Sequence, residues 1–155
     1  MSVPIIEQIA VKIVDYVKEI TVANGFNETL TAIRPKRLHL ESDTNRDKLV
    51  VIQQEEEAAV EEESTSTIIW LQPFAIQAIV LDSDDATDPI DTRLNIIRSD
   101  IEKKLMSDDC RELEGMGTIF LDGATKFLDD AANSGISVDV IVRYEVLTND
   151  PCTLG

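Results

Sequence analysis

One histidine and two cysteines are all the imidazole and thiol this chain of 155 residues contains. Cys110 and Cys152 stand far apart without a CxxC spacing, and His39 is the single imidazole available to them, so nothing suggests a metal site of Cys and His. Both thiols are expected to be free. His39 lies beside basic residues with no Ser, Cys and acid arrangement around it, which reads as a surface histidine. The six glycines form no GxGxxG and no phosphate-cradling loop followed by Lys. No apolar run approaches the roughly 20 residues of a membrane span, and no basic region precedes an apolar core and a cleavage site. Cytosolic synthesis is the expectation. Bases are also few, 14 against 30 acids, and the net charge of −16 repels phosphate wherever it faces outward. The paired carboxylates Asp84-Asp85, Asp108-Asp109 and Asp129-Asp130 lack the glycine-punctuated pattern of a calcium loop. These absences together favour a non-enzyme with no catalytic residues, no metal and no cofactor.

What the chain has is periodicity. From Ile136 to Leu147 the even positions Ile136, Val138, Val140, Val142, Tyr144 and Val146 are apolar, and they alternate with Ser137, Asp139, Ile141, Arg143, Glu145 and Leu147. That period of two predicts a half-buried strand with its even side chains on the core. Residues 3 to 20 instead repeat at helical spacing, with Ile6, Ile9, Ile13, Val17 and Ile20 on one stripe. Asn24-Gly25 supplies the left-handed geometry for its exit, by about Val22. A second helix follows Asp88 as cap, Pro89 at the first helical position and Asp91 in the first turn, and runs through Ile90, Leu94, Ile97, Ile101 and Leu105 to about Met106.

The remaining segments read as strands and turns. Leu30 to Leu40 forms an edge or bulged strand, because Pro35 removes a ladder donor. Leu49 to Gln54 is a short strand, and Ile68 to Leu81 is a long one. The outward positions Gln72 and Gln77 do not share parity, so a kink or bulge is expected at Pro73. Trp70 and Phe74 read as core anchors. Asp82 to Asp88 is a polar turn. Thr118 to Leu121 and Ala124 to Leu128 form one strand bulged around Asp122-Gly123, and Asn133-Ser134-Gly135 turns it into the final strand. With no repeat and no linker, residues 1–155 form one α+β domain: a mainly antiparallel sheet with two principal helices packed on it.

Two charged segments stand out. Arg34, Lys36 and Arg37 are the densest positive cluster, read either as a solvated edge that discourages aggregation or as a patch that meets an acidic copy or partner. Glu55, Glu56 and Glu57, then Glu61, Glu62 and Glu63, repel one another and are expected to form a mobile loop at about 55–66, projecting from the sheet as a docking or lumen surface.

The order of elements resembles the tail terminator, or tail completion, proteins of long-tailed bacteriophages. The resemblance rests on Ile20-Thr21-Val22-Ala23-Asn24-Gly25-Phe26 at the first helix exit, the Asp91 to Asp109 helix, Leu113 to Gly117, and Val138 to Tyr144 with Asp150-Pro151. It implies a homohexameric ring at the head-proximal end of the virion tail, assembled in the host cytoplasm. Such a ring caps the tail tube protein, stops its polymerisation and offers a face to the head connector or stopper protein. DNA passes through the pore without specific binding, which an acidic lining suits. This chain departs from the pattern in the length and acidity of its Glu55 to Glu63 segment and in Pro73. An acidic DNA-mimic inhibitor of a host nucleic-acid-binding enzyme would carry the same charge and stands as the alternative.

Overall fold

A computed structural model describes residues 2–35, 46–60, 65–81, 87–129 and 133–155. The first helix, α1 (Ile5–Lys18), follows Pro4, whose carbonyl accepts from the N–H groups of Glu7 and Gln8 at 3.0 and 3.2 Å. Ile9, Ile13 and Val17 lie wholly buried along its stripe. It is shorter at both ends than the predicted 3–20, and the exit is a separate 3-10 turn, Val22–Asn24. Thr21 caps that turn and Gly25 closes it at φ +91°. The second helix, α2 (Ile90–Leu105), buries Leu94, Ile97, Ile101 and Leu105. Asp88 is not its cap: Pro89 is the boundary residue and no side chain caps the helix. The helix begins one residue later than expected, at Ile90, so Asp88 stands one position before the cap.

One sheet underlies both helices. Its strands are β1 (Thr31–Ile33), β2 (Leu49–Gln54), β3 (Ala58–Ala59), β4 (Thr67–Val80), β5 (Thr118–Leu128), β6 (Ser134–Leu147) and β7 (Asp150–Leu154). The order is β1-β2-β4-β6-β5, with β3 beside β4 and β7 beside β6. Every pairing is antiparallel except that of β1 with β2. The domain is thus α+β with a mixed sheet. β1 takes the edge that Pro35 requires, and residues 36–40 of the expected Leu30 to Leu40 strand, His39 included, lie outside the described residues.

The even residues of β6 face the helices: Val138, Val140 and Val142 are completely buried, whereas Arg143 is exposed. Ser134 and Gly135, expected in the turn, already belong to this strand. β5 bulges at Asp122 as the sequence implied, with the register shifting between Leu121 and Gly123 and Gly123 at φ +118°. The bulge reverses parity: Ile119 faces the helices before it and Ala124 packs on the same core after it. β7 was not anticipated. It returns beside β6 through pairs Leu147 with Asp150 and Val146 with Leu154.

Of the kink or bulge expected at Pro73, a bulge is absent from the pairing of β4 with β6. β4 and β6 stay in one unbroken register from Thr67 opposite Leu147 to Val80 opposite Ser134, with Pro73 opposite Ile141. Glu55 N–H donates to Pro73 O at 3.0 Å, so the main-chain groups of residue 73 face β2 and the donor that proline lacks is missing from that side alone. The irregularity falls in the partner strand, between β2 and β3, where the pairing to β4 slips by one residue. Gln72 resolves the parity conflict by pointing inward. It is 1% exposed on the helix side of the sheet. Phe74 is a core anchor, while Trp70 is half-buried against the same cluster.

The first half of the acidic segment does not leave the sheet. Ala58 and Ala59 pair with Leu71 and Trp70, and Val60 N–H donates to Ile69 O at 2.8 Å. Like charges are tolerated there because Glu55 and Glu56 are exposed to solvent while the backbone of Glu55 stays bonded to β4. Residues 61–64 lie outside the described residues.

Candidate assembly surface

The two faces of the sheet are clothed differently. Both helices pack on the face of Val50, Phe74, Ile76, Val138 and Val140. On the opposite face a small cluster of Leu49, Val51 and Ile79 is joined by Ile33 and Phe127, with the Phe127 ring seated over Gly135. A side chain at Gly135 would collide with that ring, since a Cβ there would lie 2.4 Å from its Cζ.

Farther along this second face the register sets Pro73, Ile141 and Phe120 in one row across β4, β6 and β5. Leu71, Arg143 and Thr118 form the row two residues away. Phe120 is 50% exposed and Arg143 is exposed beside it. Among the described residues no helix crosses this strip. The strip therefore offers an aromatic ring, aliphatic neighbours and a guanidinium, the combination enriched at protein interfaces. Sequence reasoning placed Phe120 in a strand without noticing its direction. The signal was there: neighbouring strand residues point to opposite faces, so with Ile119 in the core Phe120 faces outward.

The charged residues singled out from the sequence separate. Arg34 forms a forked pair with Glu7, Nη1 to Oε1 at 2.6 Å and Nη2 to Oε2 at 3.2 Å, so its charge is met within the chain. Lys36, Arg37, Glu61, Glu62 and Glu63 lie outside the described residues. Glu55 and Glu56 are exposed, whereas Glu57 accepts a hydrogen bond from the Tyr144 hydroxyl at 2.6 Å. Burial, and then the Glu57 carboxylate, raise the Tyr144 pKa far above the ordinary phenolic value.

Most other cations are likewise occupied. Lys12 pairs with Glu114 at 2.8 Å, Lys48 with Glu28 at 2.7 Å and Arg98 with Glu102 at 2.7 Å. Lys104 pairs with Glu19 and Lys126 with Asp91. Arg46 meets Asp129 at 3.1 Å in a buried pair that ties β2 to the end of the β5–β6 hairpin. Exposed pairs of this kind contribute little to stability. Their consequence is electrostatic: with most of the described bases paired internally, the surplus of acids governs the field outside.

Two further sites were invisible in the sequence. Asp100, 1% exposed on α2, accepts from the Asn27 N–H at 3.2 Å, the Asn27 side-chain amide at 2.9 Å and the Glu28 N–H at 2.9 Å. It docks the loop before β1 onto α2. On the outer side of α1, Val3, Gln8, Val11, Lys12 and Asp15 border an open groove of about 600 Å³ together with Glu114 and Met116. Val3 and Val11 are about half exposed, at 49% and 46%.

Cys110 and Cys152 are both free thiols. Among the described residues no three His, Cys, Asp or Glu side chains gather as metal ligands, and no helix is long and apolar enough to cross a membrane. No protein-family model matches the chain, and a search of curated proteins finds no match.

Proposed function

We propose that this chain is a structural virion protein that forms a ring, a homohexamer, on the end of a long-tailed bacteriophage tail tube. The ring ends polymerisation of the tube protein and presents a docking face to the head connector or stopper protein, at the head-proximal end of the tail. The observation that supports an assembling protein is the one-sided clothing of the sheet, which leaves the Phe120, Ile141, Leu71 and Arg143 strip uncovered among the described residues. The assignment to a tail comes from the resemblance in element order. The surplus of acids, with most of the described bases paired within the chain, suits a channel through which DNA slides without sticking.

Electron microscopy of the purified protein, alone and mixed with tail tubes lacking their terminator, tests the reading. Rings with a central hole, or rings seated at one end of each tube, are expected. Compact particles that ignore tubes and bind a basic host enzyme would transfer the assignment to a DNA-mimic inhibitor.

A further inference from the structure

The strip lies on the second face of the sheet, whereas the groove borders α1, which packs on the first. Their chemistries are complementary. The strip presents one exposed aromatic ring, Phe120, with a cation, Arg143, that forms no salt bridge among the described residues. The groove presents exposed Val3 and Val11 with Met116, rimmed by Asp15 and Glu114. Lys12 pairs with Glu114 and also feels Asp15, so the rim sets two acids against one base and keeps a surplus of negative charge.

We infer that the two surfaces bind each other between copies: Phe120 of one chain enters the Val3, Val11 and Met116 groove of the next, and Arg143 pairs with Asp15 there. The occupant of each surface is thus a second copy of this chain. A contact between two different surfaces is head-to-tail, so it propagates, and a rotation that divides the circle closes it into a ring. The inference rests on the assembly reading above and names its interface. Aromatic and arginine anchors in an apolar pocket dominate such contacts, with surrounding polar groups fixing orientation.

Cysteine cross-linking of the full chain, in a Cys152→Ser background and with purified tubes present or absent, is decisive. The double variant Val11→Cys, Phe120→Cys should give a ladder of disulfide-linked multimers, while each single variant should not cross-link to itself. In parallel, Phe120→Glu should raise the concentration needed for half-assembly by about tenfold or more, since a hot-spot residue is lost. Arg143→Glu and Asp15→Lys should each weaken assembly, and the two together should restore it. Both strip residues are exposed, so thermal melts of these variants should match the parent.

Efficient self-linking by Phe120→Cys alone would show a two-fold contact and overturn the inference. So would rings that tolerate Phe120→Glu and give no ladder, though these would leave the ring reading standing. A ladder from open chains that never close would support the contact and remove the ring.

Discussion

The side-chain amide of Gln72 donates to the main-chain oxygen of Glu55 at 2.8 Å, the bond that residue 73 would have made with an N–H. The same nitrogen also reaches Pro73 O at 2.8 Å, and the Gln72 oxygen accepts from Gln54 at 3.2 Å. A buried glutamine thus completes the ladder that a proline interrupts, while β4 keeps its register with β6.

Removing the amide should expose that dependence. Gln72→Leu is expected to cost about 1 kcal/mol, the net value of such a bond. In a Pro73→Val background, where residue 73 regains its N–H, the same change should cost measurably less. Denaturant melts of the four proteins in a double-mutant cycle would read the coupling; simple additivity would mean that the amide does not stand in for the missing donor.

Parity in β6 makes a sharper contrast between neighbours. Val140 is wholly buried, while Asp139 accepts from the Ser137 hydroxyl at 2.7 Å on the second face of the sheet. Val140→Asp should destabilise the fold by several kcal/mol, because a carboxylate enters apolar surroundings. Asp139→Asn keeps an acceptor for Ser137 and should shift the midpoint very little. Equal midpoints for the two variants would contradict the observed register.

Asp100 joins α2 to the loop before β1 by three hydrogen bonds, and a charged acceptor makes each stronger than a neutral one. Asp100→Ala should therefore cost about 2–4 kcal/mol, with the Asn27 and Glu28 amides left without their acceptor. Hydrogen exchange at those two amides checks the mechanism: both should become fast in the variant, while amides within β4 and β6 remain protected.

Alkaline titration offers a probe that needs no substitution. The chain has two tyrosines, and burial is the leading cause that raises the pKa of both Tyr16 and Tyr144 above the ordinary value of 10.0. A phenol whose folded pKa exceeds its unfolded value keeps its proton in the fold while the unfolded chain releases it. Stability is then complete below the unfolded value and falls as pH rises above it. Tyrosinate absorbance should appear together with unfolding, not ahead of it, and Tyr144→Phe should flatten the decline.

How much of this was legible depended on the range of the interaction. The alternation of β6, the repeat of α2 and the Asp122-Gly123 bulge are local patterns, and each stands in the structure. β7 and β3 are short and have no repeat of their own; they are strands because β6 and β4 offer them free backbone groups. The acidic segment misled because charge density describes side chains, whereas the backbone of Glu55 and of Ala58, Ala59 and Val60 answers to β4. Gln72 and Asp100 look like surface residues in any hydropathy pattern. Only their partners, Glu55, Asn27 and Glu28, explain their burial. The Phe120 and Arg143 strip required both the β5 bulge and the pairing of three strands, and the α1 groove required contact with residues 114 to 116.

The central ladder also dictates when the protein can fold. β5 and β6 meet across a short connection, so their hairpin closes early and at small entropic cost. β4 must wait, since its Thr67 finds its partner only at Leu147 and its Val80 only at Ser134. During synthesis β4 emerges long before the strand that will cover its edge, with α2 and the whole of β5 still to come. A chain interrupted ahead of residue 134 has helices and hairpin material but no middle to its sheet, and its longest apolar strand stands open to any other chain nearby.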